Sequence, residues 1–294
     1  MDADTAGHVL DVIALIVSRG SLYALIAAGF ALVLGAGRVL NLFHGSFFLL
    51  GAYGAHYYGR LVGGGDGMWT RISGDAMVAG VVGLSGLAYY YLALRPSAQS
   101  WLRQVTTGLA GNLLVAESFR AFFGTRSASV PPIIAGTVQL GPVSVLAQEL
   151  AITVAAVASL GALSLFLRRS RWGNGIRAVA QDAIGARLVG VNPTMTIAAT
   201  VALSGAMAGL AGALAAPVRV VRSEMWSFAL LKALTVVIVG GVGSLRGTCL
   251  ASYGLAAVEV STTAWQGESV AELFGVLVAV GVLVLRPRGV LPDA

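Results

Sequence analysis

Nine apolar runs, at roughly 10–37, 43–62, 76–94, 105–123, 143–167, 195–216, 228–245, 248–264 and 270–285, take up most of the sequence. Each is near the length that the hydrocarbon core of a bilayer demands of a helix, about 20 residues. Short basic or Gly/Pro-rich breaks separate them. The pattern predicts an all-α chain, a polytopic transmembrane helical bundle of about nine spans, eight to ten depending on how two Gly-rich joints are crossed. Composition excludes a water-soluble fold: 57% of residues are hydrophobic and 11% charged, against about 45–50% and about 25% in ordinary soluble domains. No soluble domain stands apart, so residues 1–294 read as one membrane domain.

The net charge of +6 would suit a nucleic-acid partner, but the basic residues cluster beside the ends of apolar runs, which points to lipid and not to nucleic acid. Short loops rich in Lys and Arg stay on the cytoplasmic side. With the N-terminus outside, eleven arginines face inward: Arg38, Arg95, Arg103, Arg168, Arg169, Arg171, Arg177, Arg187, Arg246, Arg286 and Arg288. Five remain outside, namely Arg60, Arg71, Arg126, Arg219 and Arg222. An odd number of spans then puts the C-terminus in the cytoplasm. The leader, with Asp2, Asp4 and Asp11, lacks the basic region of a cleavable signal, so the first run reads as a retained span of a multi-pass inner-membrane protein.

The long inner loop from Arg168 to Thr194 reads as a short surface helix. At 100° per residue Ile176, Val179, Ala180, Ala183, Ala186 and Gly190 share one narrow stripe, while Arg177, Gln181, Gly185 and Leu188 lie opposite. Small residues on such a stripe suit insertion into a groove on a partner. A basic amphipathic helix lying flat on lipid has the same pattern. Asn192-Pro193 supplies the stop before the next span.

Two Gly-rich joints interrupt the apolar pattern. Gly35, Gly37, Gly45 and Gly51 surround the first, and Gly240, Gly241, Gly243 and Gly247 the second. Broken helices at membrane depth are tolerated where protein buries them or where they line a wet cavity, so paired breaks point to a transport path. Asn41, His44 and Ser46 are the polar groups near the first break. Close helix packing is the competing reading for any one glycine, as in Gly205-Ala206-Met207-Ala208-Gly209.

Ionisable groups inside the runs are few: Arg19, Glu117, Arg120, Lys232 and Glu259. Glu117 and Arg120 are three apart and can pair on one helix, and Lys232 and Glu259 sit at matching depth in neighbouring runs. His44 has no second His, Cys or acidic cluster at ligand spacing, so no metal site is expected, and a structural hydrogen bond is the plainer role. The lone Cys249 reads as a small buried hydrophobe, and no catalytic arrangement emerges. An ion-coupled secondary transporter would rest on Glu117 and Glu259 alone.

Against this background the 168–194 segment resembles the coupling helix of ATP-binding-cassette importer permeases, through Ala180-Gln181-Asp182-Ala183 and the later Gly190. Three further stretches are similar, in order and spacing, to the H-type permeases of hydrophobic (branched-chain) amino-acid importers. They are Ser21 to Leu25 continuing to Val39-Leu40-Asn41-Leu42-Phe43-His44-Gly45 and Gly51-Ala52-Tyr53, the turn Gly240 to Gly247, and the closing Arg286-Pro287-Arg288-Gly289-Val290-Leu291. The resemblance implies a transport subunit, not an enzyme. It implies a second permease subunit, cytoplasmic ATPases that carry ATP and Mg²⁺, and an extracytoplasmic binding protein. Ile176, Arg177, Val179, Ala180, Gln181, Asp182, Ala183, Ala186 and Gly190 would then couple to the ATPase, and Asn41, His44, Gly45, Ser46, Gly240, Gly241 and Gly243 would line the path. The chain has no GxxxxGK[ST] phosphate loop and is expected to bind no cofactor itself. Its departure from the family pattern at Phe43-His44-Gly45-Ser46 leaves urea or short amides open as alternative cargo.

Overall fold

A computed structural model of the chain describes residues 3–37, 39–62, 67–124, 127–140 and 143–291. Arg38 and Arg126, both counted in the charge asymmetry, lie outside the described residues. Among the described residues the protein is helical apart from one hairpin and an isolated bridge between Ala128 and Val221.

Helix α1 (Ala3–Gly37) is the axis of the bundle. Its 35 residues reach roughly 50 Å at 1.5 Å per residue. From Gly20 to Val33 every side chain is buried, as befits a helix that is apolar all round. Around it pack α6 (Ala147–Arg169), α9 (Pro193–Ala215), α10 (Met225–Gly240) and α11 (Leu245–Gln266). Helix α2 (His44–Leu61) lies against α9 and α10, and α3 (Met68–Tyr89) covers α9 from outside.

Small residues set these distances. A side chain at Gly51 would meet the backbone of Gly209, and one at Gly212 would meet the Phe48 carbonyl. Helices α2 and α9 therefore touch backbone to backbone, with van der Waals contact replacing the hydrophobic drive that lipid removes. Gly205 and Gly209 likewise admit Val82 of α3, the packing role expected for that stretch.

Helix α3 runs through a π turn at Tyr90–Leu94 into the short α4 (Arg95–Ser97). Pro96 explains the wider turn, because it lacks an N–H and its ring crowds the carbonyl four residues back. In α5 (Trp101–Phe123) only Gln104, Gly108, Asn112 and Ala116 are buried, a single stripe at four-residue spacing. The rest of the helix is half-buried or exposed. A hairpin follows, β1 (Thr137–Leu140) paired antiparallel with β2 (Val143–Leu146), with Thr137 opposite Leu146. The apolar run expected at 143–167 thus opens as a strand, and helix begins at Ala147.

The 168–194 segment holds two helices where one was expected, α7 (Arg171–Gln181) and α8 (Ala183–Leu188). Three side-chain caps impose the breaks. Ser170 accepts from the Gly173 N–H, Asp182 from Ile184 and Asn192 from Met195, so each residue starts the helix that follows it. Helices α10 and α11 meet at 116°, and α12 (Glu268–Leu285) closes the bundle.

Each of the nine apolar runs contains one long helix. By length and composition, four described segments suffice to cross a membrane unaided: Val9–Gly37, Met68–Ser97, Ala147–Arg169 and Pro193–Ala215. The bent α10–α11 pair adds a fifth. Helices α2 and α5 are diluted by residues that the bundle buries or pairs, among them His44, Ser46, Gln104, Asn112 and Arg120.

Candidate functional site

The first joint, between α1 and α2, is organised by α5. Phe43 offers α2 no side-chain cap. Asn112 supplies one from across the interface: its Oδ1 accepts from the Ser46 N–H at 2.9 Å and from the Ser46 hydroxyl at 2.6 Å, and its Nδ2 donates to the Leu42 carbonyl at 2.7 Å. Gln104, two turns away, accepts from the Leu40 N–H at 2.9 Å. Gly108 and Gly111 let α5 approach this closely, since a Cβ there would press on Leu42 and Phe43.

His44 is wholly buried between α1 and α9. The Ile26 carbonyl, 2.9 Å from Nε2, can only accept, so Nε2 carries the proton. Nδ1 then accepts from the Ser204 hydroxyl at 3.1 Å, and the edge of the ring meets Phe30. Gly45 lies against the Trp226 carbonyl of α10. Asn41 differs from its neighbours: it is buried, and neither its Oδ1 nor its Nδ2 has a partner among the described residues.

The second joint links α10 to α11. Gly241 and Gly243 have φ of 105° and 87°, the left-handed region that favours glycine. Gly240 and Gly247 abut backbone to backbone, and Gly35 of α1 packs on Gly243, so the two joints are in contact. The chain's closing stretch completes the second joint. The N–H groups of Val290 and Leu291 donate to the carbonyls of Val239 and Gly240, at 2.8 and 3.1 Å. Two orphan acceptors at the end of α10 are thereby satisfied from outside the helix.

Toward the other end of the bundle, Lys232 pairs with Glu259 at 2.5 Å, and the Tyr23 hydroxyl donates to the second carboxylate oxygen at 2.7 Å. Glu117 and Arg120 pair at 3.2 Å, and Arg120 reaches Glu224 at 2.6 Å. The hydrogen bond from Arg120 holds the Glu224 carboxyl below its ordinary range.

In the connecting helices Ile176, Val179 and Ala186 turn inward, while Arg177, Gln181, Asp182, Ala183 and Gly190 are exposed and Ala180 is half-buried. The sharpest exposure is on α8 and the turn after it, where Ile184, Leu188 and Val189 are 76%, 83% and 78% accessible.

A sequence model of the family described as branched-chain amino acid transport system, permease component, matches residues 12–285. The chain belongs to this family of permeases. It is 27% identical over 290 residues to the high-affinity branched-chain amino acid transport system permease protein LivH of Escherichia coli, covering 94% of this chain and 92% of that one. The corresponding permease protein BraD of Pseudomonas aeruginosa is 27% identical over 286 residues, with 92% of each chain covered. LivM of Salmonella typhimurium, also named as a permease protein of such a system, is 28% identical over 314 aligned positions but only 71% covered. Near-complete two-way coverage sets this permease beside LivH, as the resemblance implied.

Sequence reasoning located both joints of the permease but not what holds them. Asn112 and Gln104 were missed, although Gln104, Gly108 and Asn112, four apart in an apolar helix, are the mark of a buried polar stripe. Arg71 was assigned to an outer loop. In the permease it lies in the first turn of α3 and is only 7% exposed, because that helix begins at Met68 and not near residue 76.

Proposed function

We propose that this permease is the H-type membrane subunit of an ATP-driven, binding-protein-dependent importer of branched-chain or similar small amino acids in a bacterial inner membrane. It pairs with a second permease subunit to form the path, docks cytoplasmic ATPases that hold ATP and Mg²⁺, and receives cargo from an extracytoplasmic binding protein. It works as one membrane domain crossing about nine times, eight to ten depending on the two joints, with the N-terminus outside and the C-terminus in the cytoplasm. The succession of long helices along the chain and the arginine asymmetry support that topology.

The observation that carries the coupling role is the exposed apolar edge of α8. Ile184, Leu188 and Val189 project beside Arg187, and Asp182 fixes where the helix starts. Three large apolar side chains left in the open, two on a six-residue helix and one on the turn after it, are groups that a protein partner buries. The partner contact thus centres on Ile184 and Leu188, with Gln181, Asp182 and Ala183 at its margin. For the path, the support is Asn41, whose buried amide has no partner among the described residues and so suits water or a passing polar ligand.

Replacing Leu188 with Asp tests the docking. Burying one leucine contributes about 1.5–3 kcal/mol, so ATPase co-purification should fall roughly 10- to 100-fold, and uptake with it. The bundle should remain inserted and monodisperse, because Leu188 touches little of it. Undiminished co-purification in Leu188→Asp and Ile184→Asp together would refute the docking surface.

A further inference from the structure

At the end of the bundle opposite the two joints, the last turn of α2, the first turn of α3 and the loop at residues 129–135 enclose a cavity of about 500 Å³. Arg60, Arg71, His56, Thr70 and Tyr58 line it. The loop is fixed in place: the Ser129 carbonyl accepts from His56 Nδ1 at 3.1 Å, and Gln148 of α6 accepts from the Ile133 N–H at 2.7 Å.

Arg71 is the feature that needs explaining. It is more than nine-tenths buried, yet its Nε and Nη2 have no hydrogen-bond partner, and it forms no ion pair among the described residues. Asp75, one turn further along α3, attracts it through space but does not bond it, and Asp75 Oδ2 has no partner among the described residues. Asp66, the acidic residue next in the sequence, lies outside the described residues. A buried guanidinium with two bare donors is costly unless an acceptor completes it. The start of α3 adds to the same field. Gly67 provides no side-chain cap, and the N-terminus of a 22-residue helix, the positive end of its dipole, lies at this turn.

We infer that this cavity is an anion site that takes a phosphate group, with Arg71 as its bidentate anchor and Arg60 as its rim charge. The planar guanidinium fork matches phosphate oxygens two at a time. The surroundings favour a phospholipid headgroup as the source. Leu61, Trp69 and Ile72 stand exposed beside the cavity, apolar and aromatic groups of the kind that anchor at a membrane interface beside acyl chains. The inference is independent of the ATPase and cargo assignments.

The test uses the full chain, purified in a phosphorus-free maltoside detergent, with melting temperature followed against added ligand. Short-chain phosphatidylglycerol and inorganic phosphate form separate arms, and leucine forms a third. A saturable rise with phosphatidylglycerol that is absent in Arg71→Gln supports the site and assigns it to lipid. A saturable, Arg71-dependent rise with inorganic phosphate as well supports the site and assigns it to the free anion. Arg60→Gln sits on the exposed rim and is safe for folding. It should raise the half-saturating concentration by up to about fivefold, the effect of one exposed charge, and this keeps the test decisive should Arg71→Gln fold poorly. No rise in the unaltered chain, an equal rise in Arg71→Gln, or an Arg71-dependent response to leucine in place of phosphate would each overturn the inference.

Discussion

Lys232 of α10 and Glu259 of α11 form an ion pair that the bundle shields almost completely from solvent. It ties together the two helices that meet at the sharp second joint, and Tyr23 draws in α1 through the other carboxylate oxygen. Taking one partner away strands a buried charge, which costs about 3–5 kcal/mol, whereas replacing both with apolar groups of similar volume is often neutral. Lys232→Met and Glu259→Gln should therefore each lower thermal stability sharply in detergent. The double replacement Lys232→Met with Glu259→Leu should recover much of the loss. A double variant that regains stability but transports nothing would move the pair from a structural role to the path.

The two polar residues of the first joint should behave differently. His44→Ala leaves Ser204 and the Ile26 carbonyl with one partner fewer, a loss of about 1–3 kcal/mol, so yield and assembly should fall along with uptake. Replacing the Asn41 side chain gives up no hydrogen bond, because that side chain has no partner among the described residues. In a chain whose Cys249 has been substituted, a cysteine at 41 should react with a small water-soluble thiol reagent, and one at 44 should not. An unreactive cysteine at 41 would remove the support for a wet path at this joint.

At the second joint, Gly289 holds φ at 85° directly against Gly241. Gly289→Val meets both a backbone it cannot easily adopt and a neighbour it cannot displace. Ending the chain at Arg288 removes the donors to Val239 and Gly240, at about 1–3 kcal/mol for each carbonyl left bare. Both changes should loosen the end of α10 first, seen as faster backbone hydrogen exchange at 236–244 with α1 and α9 unaffected. Unchanged exchange there would show that the closing residues only rest on the joint.

The long helices were legible because one rule, apolar length, decides them: α1 ends at the expected Gly37, and α9 spans Pro193–Ala215 against the expected 195–216. The hairpin was not, since Val143 to Leu146 continues without a break into an apolar helix and a short apolar run has no period of its own. The break at Asp182 was legible in principle, as an Asp that begins a new helix, but the stripe drawn through Ile176 and Ala186 concealed it. Glycine spacing revealed the joints. The cap from Asn112 and the burial of Arg71 depend on which helices become neighbours, and that information is spread across residues 42–112.

The carbonyls of Val239 and Gly240 wait for N–H groups carried by Val290 and Leu291, which leave the ribosome after every helix of the bundle. The turn between α10 and α11 is therefore begun early in synthesis and finished only after α12 has inserted and its far end has come back beside it. A chain stopped before Val290 would leave two bare acceptors there, so the bend is closed by residues that come into place only once the last described helix has been made.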